Sequence, residues 1–219
     1  MSRALKSLIA PAYLLACICW GGSAQAIWGN FALQVAGIAV LVFAAADRRP
    51  APFGGDGRTL TGLWIAALLL VLFQLIPTPP SVWTHFPGRD PIAGGFRLLH
   101  WQLPWLPVSE APFDTLNTLP ALVPPLAMIA AIQLSKDEKK LSLALTAGVV
   151  LSILLGALQV AGGADSSWYF YRFTNTGAVG FFANGNHLAS LLITAIPFAI
   201  SVFLLLIWVG MEITGGNIH

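Results

Sequence analysis

Four residues in the last third of this sequence are of the types that hold a phosphorylated ligand. Arg172 follows Trp168-Tyr169-Phe170-Tyr171, and Asn184, Asn186 and His187 come a short stretch later. A guanidinium grips phosphate oxygens through paired N–H donors. Asn184, Asn186 and His187 lie just before or at the start of an apolar run from Leu188. If that run is a helix, its first turn presents unpaired N–H groups and about half a positive charge, which suits an anion. Gly177, Gly180 and Gly185 would let the backbone approach a bulky ligand closely. Together these groups can cradle a diphosphate.

Each residue also has a plainer reading. Asn is among the best helix caps, so Asn184 or Asn186 can simply cap the helix. His187 can be an interfacial histidine with a satisfied ring. Arg172, beside four aromatic residues, can stack on them or reach toward headgroups. The co-location of all four at one helix end is what favours a ligand. Other chemistry is mostly absent from the sequence. There is no Gly-rich phosphate loop with its Lys and no nucleophile elbow. His85, His100, His187 and His219 lack metal-ligand spacing, so no metal site is expected. Asp90, Glu110, Asp114 and Asp165 form no obvious acid/base pair.

The elements that position these residues follow from composition. Hydrophobic residues make up 57% of the 219 and charged residues 9%, against about 25% charged in a soluble domain. So few charges cannot cover a globule in water, which predicts lipid as the solvent. The charges also fall in connecting stretches, as a spanning chain requires, because a charge at mid-bilayer costs about 2.5–3.5 kcal/mol or more. Crossing about 30 Å of hydrocarbon takes roughly 20 apolar residues. That ruler predicts an all-α, polytopic transmembrane bundle of about six spans: 6–21, 27–46, 60–76, 116–134, 141–161 and 188–209. The chain reads as one membrane domain with outer loops at 77–115 and 162–187.

Lysines and arginines set the expected orientation. Arg3, Lys6, Arg48, Arg49, Arg58, Lys136, Lys139 and Lys140 belong to one side, and only Arg89, Arg97 and Arg172 to the other. Six spans with a cytoplasmic N-terminus put the larger set in the cytoplasm. The net charge of +2 is explained by this bias, and no basic run suggests nucleic acid. Cys17 and Cys19, inside the first span, imply no disulfide framework. Arg3, Lys6 and Ala24-Gln25-Ala26 also have the pattern of a cleavable signal peptide. An uncleaved first helix is the simpler expectation, since another span follows at once. In the first outer loop, Pro-rich sequence rules out a long helix, although a short interfacial one fits near Ile92–Leu103. Trp83, Trp101 and Trp105 fit an aromatic belt, and the loop reads most simply as a lid on the membrane surface with no chemistry, although Arg89 and Arg97 could instead meet an anionic headgroup or substrate.

Tyr171-Arg172-Phe173-Thr174-Asn175 with Gly180-Phe181-Phe182-Ala183-Asn184-Gly185-Asn186-His187-Leu188-Ala189 resembles the signature of the O-antigen ligase and polysaccharide polymerase family. Gln74-Leu75-Ile76-Pro77 through Trp83, and Pro107-Val108-Ser109 through Pro124-Pro125-Leu126-Ala127, are similar to what such proteins carry before it. The resemblance implies a bacterial inner-membrane glycosyltransferase in lipopolysaccharide or exopolysaccharide synthesis. Such a protein takes a glycan from undecaprenyl diphosphate on the periplasmic side. It passes the glycan to lipid A–core or to another lipid-linked glycan, with no cofactor, nucleotide sugar or catalytic metal. Arg172 would hold the diphosphate, and Asn184, Asn186 and His187 would shape the same pocket. Two departures stand out. Many relatives carry a basic residue where this sequence has Gly185. Members are also about twice as long, with a later loop that supplies a catalytic His and a further Arg. By that resemblance the chain corresponds to an N-terminal half and is expected to be inactive alone. The competing readings are a lipid-linked glycan transporter or flippase, and a non-catalytic membrane subunit.

Overall fold

The computed structural model describes residues 3–22, 28–47, 56–171 and 177–215. Arg172 and the Ala24-Gln25-Ala26 motif lie outside them. The fold is the expected all-α polytopic bundle, and among the described residues its one sheet is a pair of two-residue strands. Among the described residues, five helical segments are long and apolar enough to cross a bilayer: Trp28–Ala46, Gly57–Gln74, Pro112–Ser135, Glu138–Gly162 and Gly185–Glu212. Leucine, isoleucine, phenylalanine and valine stand exposed along them, Ile193, Phe203 and Leu206 among others. Apolar surface on that scale requires lipid rather than water around it.

The first expected span is shorter than a membrane-crossing helix. Helix α1 covers Arg3–Lys6 and α2 covers Ile9–Trp20, with a turn at Ser7–Leu8 between them. Pro11 accounts for the turn. It has no N–H to give the Ser7 carbonyl four residues back, and that carbonyl accepts from Ser135 Oγ instead, at 3.2 Å.

The chain falls into two compact units, Met1–Pro52 with Pro124–His219, and Phe53–Val123. The first unit holds α2, α3 (Trp28–Ala46), nearly all of α8 (Val123–Ser135), α9 (Glu138–Gly162) and α10 (Gly185–Gly215). Helix α2 packs on α3 and α9, and α9 on α10. Small residues allow the close approach, as is usual between helices in lipid. A Cβ on Gly148 of α9 would stand 2.6 Å from Ile18 Cδ1. Tyr13, Leu33 and Ala127 form one buried cluster, and the Tyr13 hydroxyl donates to the Leu33 carbonyl at 3.1 Å. Ile18, Leu145 and Ala195 form a second. Lys6 and Asp47 pair at one end of this unit, and Lys140 Nζ donates to Ser7 Oγ there at 2.6 Å.

Helix α10 has 31 residues, about 46 Å at 1.5 Å per residue. It extends beyond the expected 188–209 at both ends.

The second unit contains α4 (Asp56–Gln74), β1 (Pro77–Thr78), α5 (Pro80–Trp83), α6 (Asp90–Leu98), β2 (Leu106–Pro107) and α7 (Pro112–Ala121). Strands β1 and β2 pair antiparallel, Pro77 opposite Pro107 and Thr78 opposite Leu106. The segment expected as one helix over 116–134 is broken at Leu122, between α7 and α8. In a continuous helix the Pro120 and Ala121 carbonyls would pair with residues 124 and 125. Both are proline and have no N–H. Trp64 Nε1 from α4 donates to the Leu122 carbonyl at the break, at 2.7 Å.

Trp83, expected in the aromatic belt, and Arg89, one possible contact for an anionic headgroup or substrate, are instead structural. Trp83 is fully buried, and its Nε1 donates to the Pro104 carbonyl at 2.9 Å. Arg89 is 3% exposed, and its Nη2 donates to the Pro107 and Val108 carbonyls at 3.0 and 2.8 Å. Glu110 Oε1 stands 3.9 Å from Arg89 Nε. The guanidinium thus ties the start of α6 to the chain just after β2. Trp101 and Trp105 are exposed, as an interfacial belt requires. The short helix expected at 92–103 forms earlier, over Asp90–Leu98, with Pro91 in its first turn.

Candidate functional site

The candidate site belongs to the first unit, where α9 ends, the 163–184 segment follows and α10 begins. Its anchor is Gln159, one turn from the end of α9 and fully buried. A carboxamide inside an apolar bundle must satisfy two donor positions and an acceptor oxygen. Here the side chain makes four bonds. Nε2 donates to the Trp168 carbonyl at 3.1 Å and to the Gly180 carbonyl at 2.8 Å. Oε1 accepts from Val179 N at 3.0 Å and Gly180 N at 2.9 Å. One side chain therefore fixes both ends of the segment that contains Arg172.

Gly180 fits this grip because it has no side chain. Its φ is +59°, and a Cβ there would stand 2.9 Å from the Ser152 carbonyl oxygen. Gly22, beyond the end of α2, meets the segment from the other side. Its carbonyl accepts from Ala183 N at 2.9 Å, and a Cβ on it would stand 2.8 Å from Phe182 Cα. Phe170 and Phe181 stack with centroids 6.0 Å apart. Tyr169 and Gly177, on either side of Arg172 in sequence, are joined by a 2.8 Å bond from the Tyr169 hydroxyl to the Gly177 carbonyl.

The structure brings Asn184, Asn186 and His187 together at the start of α10, all exposed. Asn184 Oδ1 accepts from Asn186 N at 2.9 Å, and its backbone carbonyl accepts from His187 N at 3.0 Å. Asn184 therefore caps the helix, the plainer of its two expected roles. Asn186 lies in the first turn, where its carbonyl accepts from Ser190 Oγ at 2.9 Å. The His187 ring stands edge-on to Phe182, centroids 6.2 Å apart. Gly185 packs 3.5 Å from the Ala178 carbonyl, measured from where a Cβ would be. Among the described residues, no three His, Cys, Asp or Glu side chains group to hold a metal.

Sequence reasoning missed Gln159. The available signal was a lone carboxamide near the end of an otherwise uncharged spanning run, since such a group must find partners within the protein. No protein-family model, curated protein or solved structure matches this chain. The fold and composition define a multi-pass, all-α membrane protein.

Proposed function

We propose that the protein belongs with the O-antigen ligases and polysaccharide polymerases, and that it binds the diphosphate of an undecaprenyl-linked glycan for transfer at the periplasmic face of a bacterial inner membrane. The observation that carries this reading is the exposed cluster of Asn184, Asn186 and His187 at the first turn of α10. This helix is of membrane-spanning length, so its first turn falls near a bilayer boundary, where the headgroup of a lipid-linked substrate lies. The Gln159 clasp supports the reading, because it anchors Val179 and Gly180 shortly before the start of α10, and a ligand site gains from supports fixed before the ligand arrives. In this scheme Arg172 neutralises diphosphate charge, Asn186 and His187 supply polar contacts, and Asn184 holds the turn by capping it. The glycan acceptor is lipid A–core or a second lipid-linked glycan.

The test is binding of undecaprenyl diphosphate to the purified chain, set beside undecaprenol, which has the same tail and no phosphate. The diphosphate should bind at least about tenfold more tightly, and Arg172→Ala should remove most of that difference. His187→Ala and Asn186→Ala should each weaken binding with the fold intact. Equal affinity for the two lipids, or an Arg172→Ala variant that binds like the parent, would show the assignment to be wrong.

A further inference from the structure

The opposite end of the first unit carries a separate site. A cavity of about 520 Å³ there is lined by Lys6, Ser7, Ser135, Lys136, Asp137 and Lys140, among others. Lys140 Nζ is held at its edge by Ser7 Oγ at 2.6 Å and by Asp137 Oδ2 at 3.0 Å. Lys136 has φ +47° and makes no ion pair among the described residues. Lys140 also lines a second cavity of about 500 Å³, between the start of α9 and the later part of α10. Leu143, Phe198, Val202, Leu205 and Leu206 make this second cavity mainly apolar. Ser142 Oγ, which lines it too, is buried with no hydrogen-bond partner among the described residues.

A polar, lysine-lined cavity joined through one lysine to an apolar groove has the two halves of a lipid site. The ion pairing agrees. In the lining of the polar cavity Lys6 pairs with Asp47 and Lys140 with Asp137, which leaves Lys136 as its lysine with no ion pair among the described residues, able to meet one phosphodiester anion. Basic pockets between membrane helices are suited to anionic headgroups. The geometry points to a binding site for one anionic glycerophospholipid, its phosphate between Lys136, Lys140 and Ser7 and one acyl chain along the α9–α10 groove. This site is independent of the glycan reading.

The experiment titrates the full chain, purified in neutral detergent, with phosphatidylglycerol, with phosphatidylcholine of the same acyl chains, and with inorganic phosphate, read by native mass spectrometry. Phosphatidylglycerol should bind about tenfold more tightly than phosphatidylcholine. Lys136→Gln should lower its affinity about fivefold, and Lys140→Gln by a similar factor. Lys140→Arg should retain it. Leu143→Trp, which fills the groove, should weaken both lipids. Lys136 is exposed, so its substitution reads binding without threatening the fold. The proposal fails if the two lipids bind equally, or if Lys136→Gln leaves the preference intact. It also fails if millimolar phosphate displaces phosphatidylglycerol while Leu143→Trp has no effect, because the cavity would then be a free-phosphate site.

Discussion

Gln159 holds Gly180 at both its N–H and its carbonyl, accepting from the first at 2.9 Å and donating to the second at 2.8 Å. The pairing copies what a neighbouring β-strand would offer, in a bundle with almost no strand. It joins a spanning helix to the segment before α10 at a residue whose backbone few other amino acids could adopt.

Removing this grip should be costly. Gln159→Leu leaves buried donors at Val179 and Gly180 and a buried acceptor at Gly180 without partners, and each unpaired group costs about 1–3 kcal/mol. At the low end of that range the three groups together give a loss of about 3 kcal/mol, with hydrogen exchange at Val179 and Gly180 rising before global unfolding. Thermal unfolding in detergent, with exchange read by mass spectrometry, checks this. An unchanged melting temperature and unchanged exchange would remove Gln159 from its role.

Glycine substitutions should divide by location. Gly180→Ala forces a Cβ into a left-handed conformation, at about 1–2 kcal/mol, and brings it within 2.9 Å of the Ser152 carbonyl oxygen. Gly94→Ala lies inside α6 with nothing within 4 Å of the added carbon, and should stabilise by about 0.5–1 kcal/mol. The two variants should shift the unfolding midpoint in opposite directions.

Arg89 makes a different kind of tie. Arg89→Ala leaves the Pro107 and Val108 carbonyls without their charged donor, worth about 1.5–3 kcal/mol for a hydrogen bond to a charged group. Lysine has no planar fork with which to replace it. Arg89→Ala and Arg89→Lys should both speed protease cleavage in the 84–110 stretch. Arg97→Ala, on the exposed side of α6, should leave cleavage unchanged.

The start of α9 should respond to acid. The Lys140 side chain, hydrogen-bonded to Asp137, holds that carboxyl below the usual carboxylate range, and the Lys140 backbone N–H adds to the effect. The folded form therefore binds a proton less readily than the unfolded one. This contribution is complete above the ordinary value of 3.8 and is lost as pH falls through the lowered folded value. Asp137→Asn keeps an oxygen for the cap but no charge, so its first turn should be less sensitive to pH over that window. Exchange at Lys140 N between about pH 2 and 5 measures the difference, which added salt should reduce because solvent reaches the carboxylate.

The spanning helices were legible in the sequence because the bilayer imposes one length and excludes charge. Trp28–Ala46 and Glu138–Gly162 begin and end within a few residues of where apolar runs and lysines place them. Interruptions were harder to read. Prolines at 11, 124 and 125 sit inside apolar runs, and hydrophobicity takes no account of a missing N–H. The site was partly legible. Asn184, Asn186 and His187 are at the helix start as their types suggested, yet capping absorbs the Asn184 side-chain oxygen. Arg172 lies outside the described residues. Gln159, Trp83 and Arg89 were misjudged or missed for one reason. Each has a polar group whose partners are backbone atoms remote in sequence, and residue type alone does not reveal which of those come near.

The clasp at Gln159 is built only from a carboxamide and peptide groups. None of them takes up or releases a proton over the ordinary pH range, and none carries a net charge for ions to screen. A clasp made from histidine or a carboxylate would loosen as the surrounding medium turned acidic or saline. This one is indifferent to both, so the hold on Gly180 beside the end of the bundle that bears Asn186 and His187 should vary with neither acidity nor salt.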